Sequence, residues 1–269
     1  MLARRRQDVI LERVRAHGSV RVSELVDQLG VSDMTIRRDI TQLSRRGLVD
    51  RVHGGAAAAG GRSSEEPGFA AKSVLQRAEK RAIGTLAASL VDAGASVAVS
   101  AGTTTVEVAL ALRAVADLTV VTNSPPVAEI LHDPLRRDRT VILTGGIRTP
   151  SDALVGPVAV RSLEGLHVDW LFLGIHGFSA REGLTTPNLV EGDTDRALVR
   201  SAANVVVVAD STKWGVVGLS SIAALEDVDV LVCDDGLDEE ARAVLTERTG
   251  RLMLAETSVD DVNDQEEPS

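Results

Sequence analysis

The chain has 269 residues, of which 44% are hydrophobic and 25% are charged, as in a globular protein long enough for two domains. No apolar run approaches the roughly 20 residues of a membrane-spanning helix, and the basic N-terminus lacks the apolar centre of a signal peptide, so we expect a cytoplasmic protein with no membrane partner. The single cysteine, Cys233, leaves no partner for an internal disulfide and excludes a cysteine-based zinc cluster.

The net charge of −10 is unevenly distributed along the chain. Residues 1–55 carry 11 arginines and 7 acidic residues, whereas the remainder holds 18 basic and 32 acidic residues. Contact with DNA phosphates requires positive charge, and of the two parts of the chain only the first has a net positive charge. The acidic remainder disfavours indiscriminate binding of the whole protein to nucleic acid.

Three short helices are predicted in the first segment. The first covers residues 6–15, with Val9, Ile10 and Val14 available for a core. The second begins at Ser23 and is followed by a tight turn at Gly30. A helix, a short turn and a second helix form the helix-turn-helix arrangement that places one helix in the major groove of DNA.

The third helix is the one predicted to read DNA. Ser32 can cap its first turn, and Ile36, Ile40 and Leu43 recur at the spacing of one buried stripe. The opposite face is then polar and basic, which suits a major groove, although a solvated basic face on an ordinary helix has the same pattern. Gly47 is expected to end this helix. The residues predicted to face outward from the helix and its flanks are Met34, Thr35, Arg37, Arg38, Thr41 and Arg45.

A strand is predicted over residues 48–53, followed by a turn at Gly54 and Gly55 that forms a wing. Arg51 and His53 on this wing are candidates for phosphate contact. The small and polar residues 57–68 have the composition of a linker, so we place the first domain at 1–56 and the second at 69–255. The acidic residues 256–269 are expected to form a disordered tail.

The second domain alternates helical and apolar-strand patterns, which predicts an α/β fold with a mostly parallel sheet. Ligands bind such sheets outside the carboxyl ends of the strands. The predicted strands cover 95–100, 118–122, 140–143, 169–173, 205–209, 228–233 and 252–254, and the predicted helices cover 80–91, a stretch after 105, 123–131, 157–166, 191–203 and 237–247.

Polar residues follow several of these strands. Glycine permits close backbone approach, and hydroxyls with free N–H groups at a helix start attract an anion such as phosphate. A threonine-rich helix start is also found in helices that are simply capped, and an acid with a nearby lysine also forms surface salt bridges. The candidate ligand-binding residues are Gly102, Thr103, Thr104, Thr105, Asn123, Ser124, Gly145, Gly146, Glu191, Asp210 and Lys213.

Both segments resemble the DeoR family of bacterial regulators. The resemblance is carried by VSDMTIRRD at 31–39 and RVHGG at 51–55, then by AGTTT at 101–105, TNS at 122–124, Gly145-Gly146, residues 169–174, residues 183–185 with Glu191, and DSTK at 210–213. It implies a winged helix-turn-helix domain and a sensor domain with a fold like ribose-5-phosphate isomerase and the CoA transferases. Ser100 and Asp195 stand where the family usually has Asp and Lys.

The resemblance implies a transcription factor, expected to repress a carbohydrate-metabolism operon under the control of a phosphorylated sugar or a related metabolite. Its partners would be double-stranded operator DNA, the effector and further copies of itself, as a dimer or tetramer. The DNA-binding residues would be Ser32, Met34, Thr35, Arg37, Arg38, Arg51 and His53. No catalytic residue, metal or cofactor is expected. The alternatives are a sugar-phosphate isomerase-like enzyme and, given Ser100 and Asp195, a regulator whose second domain only oligomerises.

Overall fold

A computed structural model describes residues 3–17, 19–46, 48–52, 55–58, 69, 73 and 75–257. The chain divides into an N-terminal unit, Met1–Arg62, and a body, Ser63–Ser269. In the N-terminal unit, the described helices are α1 (Ala3–His17), α2 (Val22–Leu29) and α3 (Asp33–Arg45). The strands β1 (Ser19–Arg21), β2 (Val49–Val52) and β3 (Gly55–Ala58) form an antiparallel sheet in the order β1-β3-β2.

The core of the N-terminal unit is the predicted apolar stripe of α3. Ile36 and Leu43 are fully buried and Ile40 is almost so, because they pack against Ile10 of α1 and Leu25 of α2. This part of the prediction is confirmed. An ion pair also joins α1 to α3, in which Arg6 Nε lies 2.7 Å from an Asp39 carboxylate oxygen.

Several boundaries in this unit differ from the prediction. Strand β1 was not predicted, and α2 begins at Val22 rather than Ser23. Ala57 and Ala58, the first residues of the predicted linker, lie in β3, where they pair with Ser19 of β1 and Val49 of β2. The predictions for Gly47, His53, Gly54 and residues 59–68 lie outside the described residues.

The body is built on seven strands that are all parallel, in the order β15-β14-β12-β9-β4-β5-β6. The α/β prediction is therefore confirmed. These strands are β4 (Ser96–Val99), β5 (Leu118–Thr122), β6 (Arg139–Leu143), β9 (Val168–Gly174), β12 (Ala202–Val208), β14 (Val230–Asp234) and β15 (Leu252–Ala255). The helices are α4 (Arg77–Ala88), α5 (Thr103–Leu112), α6 (Pro125–Leu131), α7 (Pro157–Leu163), α8 (Leu189–Ser201) and α9 (Glu239–Arg248).

Helices cover both faces of this sheet. Successive residues of a strand point to opposite faces, and Val97 and Ala98 of β4 accordingly belong to two different apolar clusters. Helices α4, α5 and α6 contribute to the cluster of Val97, whereas α8 and α9 contribute to that of Ala98. Burial on both faces explains why the strands are continuous apolar runs in the sequence.

The body also contains short strands that the sequence pattern did not predict. They are β7 (Ile147–Arg148) and β8 (Leu154–Val155), which form a hairpin, and β10 (Gly177–Ser179), β11 (Gly183–Thr186) and β13 (Ser220–Ala223), which form a small antiparallel sheet. Helix α7 ends at Leu163 rather than at residue 166, and β12 begins at Ala202, inside the predicted helix 191–203. Among the described residues, no helix is long and apolar enough to cross a membrane.

Candidate nucleic-acid interface and ligand site

Helix α3 begins with the predicted cap. The Ser32 hydroxyl accepts a hydrogen bond from the backbone N–H of Thr35 at 3.3 Å, and it lies 2.9 Å from the Thr35 hydroxyl. This bond satisfies an N–H group that the first turn leaves without a helical partner. Two residues proposed for DNA contact therefore also define where the helix starts.

The outward face of α3 presents one apolar and two basic side chains. Met34 is 79% exposed, and both Arg37 and Arg38 are exposed. The Arg37 guanidinium bonds both carboxylate oxygens of Asp33, at 2.5 and 3.2 Å, and this hydrogen-bonded anion raises the pKa of Arg37. No described residue pairs with Arg38, so its charge is the more accessible of the two for a DNA phosphate or base.

The wing is represented by strands β2 and β3. Arg51 lies in β2 and its backbone pairs with Ala56 of β3, whereas His53 lies outside the described residues. The two strands form the antiparallel hairpin that the wing prediction requires. Arg51 is thus placed on this hairpin by its backbone position.

In the body, the chain changes direction along the sheet between β4 and β9, since β5 and β6 lie on one side of this pair and β12, β14 and β15 on the other. Open α/β sheets bind ligands at such a point. Ser100, which follows β4, is almost fully buried there, and its hydroxyl accepts a hydrogen bond from the Gly174 N–H at 2.9 Å. The serine thereby joins the ends of the two strands.

The threonine-rich segment forms the start of α5 beside this point. Gly102, with φ of 148°, precedes the helix and supplies no side-chain cap. The Thr105 hydroxyl donates to the Gly102 carbonyl oxygen at 2.9 Å; Thr104 and Thr105 are buried, and Thr103 is half-buried. The helix start therefore leaves backbone N–H groups available for an anion.

Asn123 and Ser124, at the end of β5, are buried and bonded within the protein. Asn123 Oδ1 accepts from the Ala101 N–H at 3.0 Å, and its Nδ2 donates to the Leu154 carbonyl at 3.3 Å. Ser124 caps α6 by accepting from the Val127 N–H at 3.4 Å. These side chains connect neighbouring strand ends and helix starts.

Gly145 and Gly146 follow β6 with positive φ angles of 74° and 127°. A Cβ on Gly146 would lie 2.6 Å from the carbonyl oxygen of Val155 in β8, whereas one on Gly145 would lie 3.6 Å from Val158 Cγ1. The second glycine is thus required for the close approach of the β7–β8 hairpin.

Glu191 lies in the first turn of α8 with a side chain that is buried among hydroxyls. Its Oε1 accepts from Thr149 Oγ1 at 2.8 Å and from the Ser151 hydroxyl, and its Oε2 accepts from Thr186 Oγ1 at 3.4 Å. These three partners were not predicted from the sequence. The sequence TPS at 149–151, between two short apolar stretches, was the available signal.

Asp210 and Lys213 belong to a separate hydrogen-bonded group at the end of β12. Asp210 is almost fully buried and accepts from the backbone N–H of Thr212 at 3.2 Å and from the Thr212 hydroxyl. Lys213 is half-buried. In the described structure no hydrogen bond or ion pair joins Asp210 to Glu191, although both are among the predicted ligand-binding residues.

The other residues with potential metal or nucleophile chemistry are placed in structural surroundings. In the part of the chain that the structure describes, no group of three or more His, Cys, Asp or Glu side chains is arranged to hold a metal ion. Cys233 is fully buried in β14, and burial raises the pKa of its thiol well above the ordinary value. It is therefore an inert core residue at neutral pH.

Family models match both units of the chain. A model described as a DeoR-like helix-turn-helix domain matches residues 6–60, and one described as the DeoR C-terminal sensor domain matches residues 75–235.

Several curated proteins are similar over most of their length. An uncharacterized HTH-type transcriptional regulator, YgbI of Escherichia coli K12, is 37% identical over 95% of this chain and 99% of its own. The regulator GlpR of Haloferax volcanii is 39% identical over 90% of this chain and 94% of its own. A putative aga operon transcriptional repressor of Escherichia coli O157:H7 is 33% identical over 88% of each chain.

Among solved structures, ribose 5-phosphate isomerase A of Neisseria gonorrhoeae is similar at 14% identity with a TM-score of 0.35, over 50% of this chain and 52% of that chain. A likeness at this level bears on neither the function nor the ligand of this chain.

Proposed function

Because the chain belongs to the DeoR family of DNA-binding transcriptional regulators, we propose that it represses a carbohydrate-metabolism operon under the control of a phosphorylated sugar or a related metabolite. Two copies or more would bind paired operator half-sites, since helix-turn-helix proteins usually read such pairs. The effector would bind the body and favour one arrangement of the N-terminal units over another, which links effector affinity to operator affinity.

The outward face of α3 is the observation that carries this proposal. Ile36, Ile40 and Leu43 fix the helix in the core, so that Met34 and Arg38 are directed to the outside. We assign Arg38 to a base or phosphate, with Ser32, Thr35 and Arg37 beside it. Arg51 and His53 of the wing are assigned to the DNA backbone.

For the effector, we assign the phosphate to the start of α5. Gly102 gives no side-chain cap, Thr103 is half-buried, and the helix dipole favours an anion at this end. The other proposed effector residues, from Asn123 and Ser124 through Gly145, Gly146 and Glu191 to Asp210 and Lys213, would shape the surrounding pocket.

A second candidate function is a regulator whose body only oligomerises. The observation in its favour is that Ser100, Asn123, Glu191 and Asp210 already bind other groups of the protein. The same observation argues against an isomerase, because a carboxylate base has to be directed at a substrate carbon and the Glu191 carboxylate accepts from three hydroxyls.

The experiment is a binding titration of the full chain against its own upstream DNA at fixed salt, because the affinity of such complexes depends on salt. It is run with sugar phosphates, with the matching unphosphorylated sugars and with inorganic phosphate. We expect specific binding that one sugar phosphate weakens about 10-fold or more, in the range of typical coupling free energies, while its parent sugar has no effect.

Specific binding that no compound alters would support the oligomerising regulator instead. Equal affinity for the upstream DNA and for unrelated DNA of the same length would contradict the assignment of α3 to this operator.

A further inference from the structure

Exposed apolar side chains are concentrated at the β6 edge of the body sheet. We call this group the edge surface; its residues are Ile142, Leu143, Ile147, Val158, Leu189 and Val190, all exposed. Monomeric proteins rarely leave a large contiguous apolar patch exposed, and such patches mark interaction sites.

The elements that carry the edge surface are neighbours in the fold. The Ser162 hydroxyl of α7 donates to the Thr144 carbonyl at the end of β6, at 2.6 Å. A Cβ on Gly145 would lie 3.6 Å from Val158 of α7, and one on Gly156 would lie 3.7 Å from Val190 of α8. The end of β6 and the starts of α7 and α8 are therefore direct neighbours.

Strand β6 also carries an open backbone edge. Within the described residues it pairs only with β5, as the last strand of the sheet. Proteins usually protect such an edge with a lysine, a proline or a charge, yet the exposed large side chains here are Ile142 and Leu143. The one charged side chain of β6, Arg139, is directed to the carbonyls of Leu112 and Val115 at 3.0 and 2.7 Å.

We propose that the edge surface is where a second copy of this chain docks, around a two-fold axis. This inference rests on the proposed function, which requires two N-terminal units for paired half-sites. A two-fold axis brings the same surface of both copies together, and an axis perpendicular to β6 makes the two β6 strands run antiparallel to each other. Because the chain outside residues 1–55 carries a net charge of −14, two copies repel each other least across a surface of six uncharged residues.

The place where the chain enters the body favours a second copy over another partner. The Phe69 N–H donates to the Pro150 carbonyl, between β7 and β8, at 3.1 Å. The chain therefore enters the body next to the β7–β8 hairpin, the element that carries Ile147 of the edge surface. Docking across this surface would bring the two β7–β8 hairpins, and with them the two points of chain entry, towards one interface.

The first test is sedimentation velocity of the full chain carrying Ile147→Glu and Val158→Glu together. Both side chains are largely exposed, at 70% and 61%, and a glutamate in the first turn of α7 is favourable for the helix, so the fold should persist. We expect self-association to weaken about 100-fold. The matched control is Leu110→Glu, whose side chain is 43% exposed on α5, a helix that contributes no residue to the edge surface, and it should associate like the wild type.

The second test does not depend on a destabilising change. In an Ile142→Cys variant, the introduced thiol is the accessible one, because Cys233 is fully buried. A flexible bis-maleimide should link two copies of this variant and should not link Leu110→Cys.

A wild-type protein that is monomeric at all concentrations, or a folded double glutamate variant that associates normally, would overturn the inference. The inference and the proposed function can fail separately. Docking at the edge surface without specific DNA binding would contradict only the proposed function, whereas operator binding by a chain that never cross-links at position 142 would contradict only the docking.

Discussion

Polar side chains lie both on the outward face of α3 and at the carboxyl ends of the body's strands, but they differ in exposure and in hydrogen bonding. On α3, Met34 and Arg38 are exposed, and no described residue pairs with the Arg38 guanidinium. At the carboxyl ends of the strands, Asn123 and Glu191 are buried and accept hydrogen bonds from other parts of the protein. The residue types suggest binding in both places, but only the first set is held ready for an outside partner.

The difference has a physical consequence for substitutions. A buried polar group must be hydrogen-bonded, and leaving it or its partner unsatisfied costs about 1–3 kcal/mol. An exposed charge costs little to keep in water and is free to act on a partner. Substitutions at the carboxyl ends of the strands should therefore mainly lower the stability of the body. Substitutions on the outward face of α3 should change DNA affinity while stability is preserved.

The largest effect is expected for Gly146→Ala. At φ of 127° an alanine is strained, and its Cβ would lie 2.6 Å from the Val155 carbonyl oxygen, so we expect the free energy of unfolding of the body to fall by about 3 kcal/mol. Urea unfolding followed by tryptophan fluorescence measures this selectively, because both tryptophans, Trp170 and Trp214, lie in the body.

Gly145→Ala is the control for this prediction. Its φ of 74° is a left-handed conformation, and its Cβ would meet Val158 only at 3.6 Å, so a loss of about 1 kcal/mol is expected. Equal losses for the two variants would show that the close approach to β8 is not what requires Gly146.

The second prediction concerns Arg38→Ala on α3. Because the guanidinium is assigned to DNA and has no described partner in the protein, we expect operator affinity to fall about 10- to 100-fold with an unchanged circular-dichroism melting curve. A salt titration distinguishes the two kinds of contact, since loss of a phosphate contact lowers the salt dependence and loss of a base contact relaxes sequence discrimination.

Arg181→Ala is the control on the body, because that side chain is 91% exposed and its ion pair with Glu182, at 3.6 Å, lies in solvent. Its affinity should stay within about twofold of wild type, because Arg181 is not assigned to the DNA and an exposed charge is screened by salt. Equal affinities for Arg38→Ala and Arg181→Ala would remove the assigned difference between the two regions.

How well each region could be predicted from the sequence depends on how far apart in the chain its interacting residues lie. The cap at Ser32 and the stripe of Ile36, Ile40 and Leu43 depend on spacings of three to seven residues, so periodicity and capping rules predict α3 well. Strand β1 has only three residues and depends on pairing with β3, where Ser19 faces Ala57. Local pattern contains no signal for it.

In the body, the positions of the strand ends were predictable, but the hydrogen-bond partners of the side chains at those ends were not. Glu191 is bonded to Thr149, 42 residues earlier in the chain, through a turn between two strands of only two residues each. A hydrogen bond over that distance is fixed by the packing of α8 against the β7–β8 hairpin. The sequence therefore indicates where a ligand site is expected, and the packing decides which side chains are already engaged.

The smallest effect is expected at a carboxylate that is exposed, like Arg38, and also hydrogen-bonded, like Glu191. Asp169, at the opposite end of the sheet, accepts from the Ser96 N–H and hydroxyl at 2.8 and 2.7 Å, which lowers its pKa. A lowered pKa means that the stabilisation is present above about pH 4 and is lost as the pH falls through the folded pKa. Ser96→Ala should therefore cost less than about 1 kcal/mol at pH 7, and its difference from wild type should shrink towards pH 3.

Urea midpoints at pH 7, 5, 4 and 3 measure this difference. The difference should not vanish, because the Ser96 hydroxyl also accepts from the Asp169 N–H at 3.0 Å, a bond without a titrating group. Ser89→Ala is the control, since its hydroxyl donates to the Leu86 carbonyl at 2.7 Å and its loss should be independent of pH. If Ser96→Ala and Ser89→Ala show the same pH dependence, the hydrogen bonds to Asp169 contribute nothing to stability against acid. Exposure, rather than hydrogen bonding, would then determine how much a polar side chain contributes to the stability of the body.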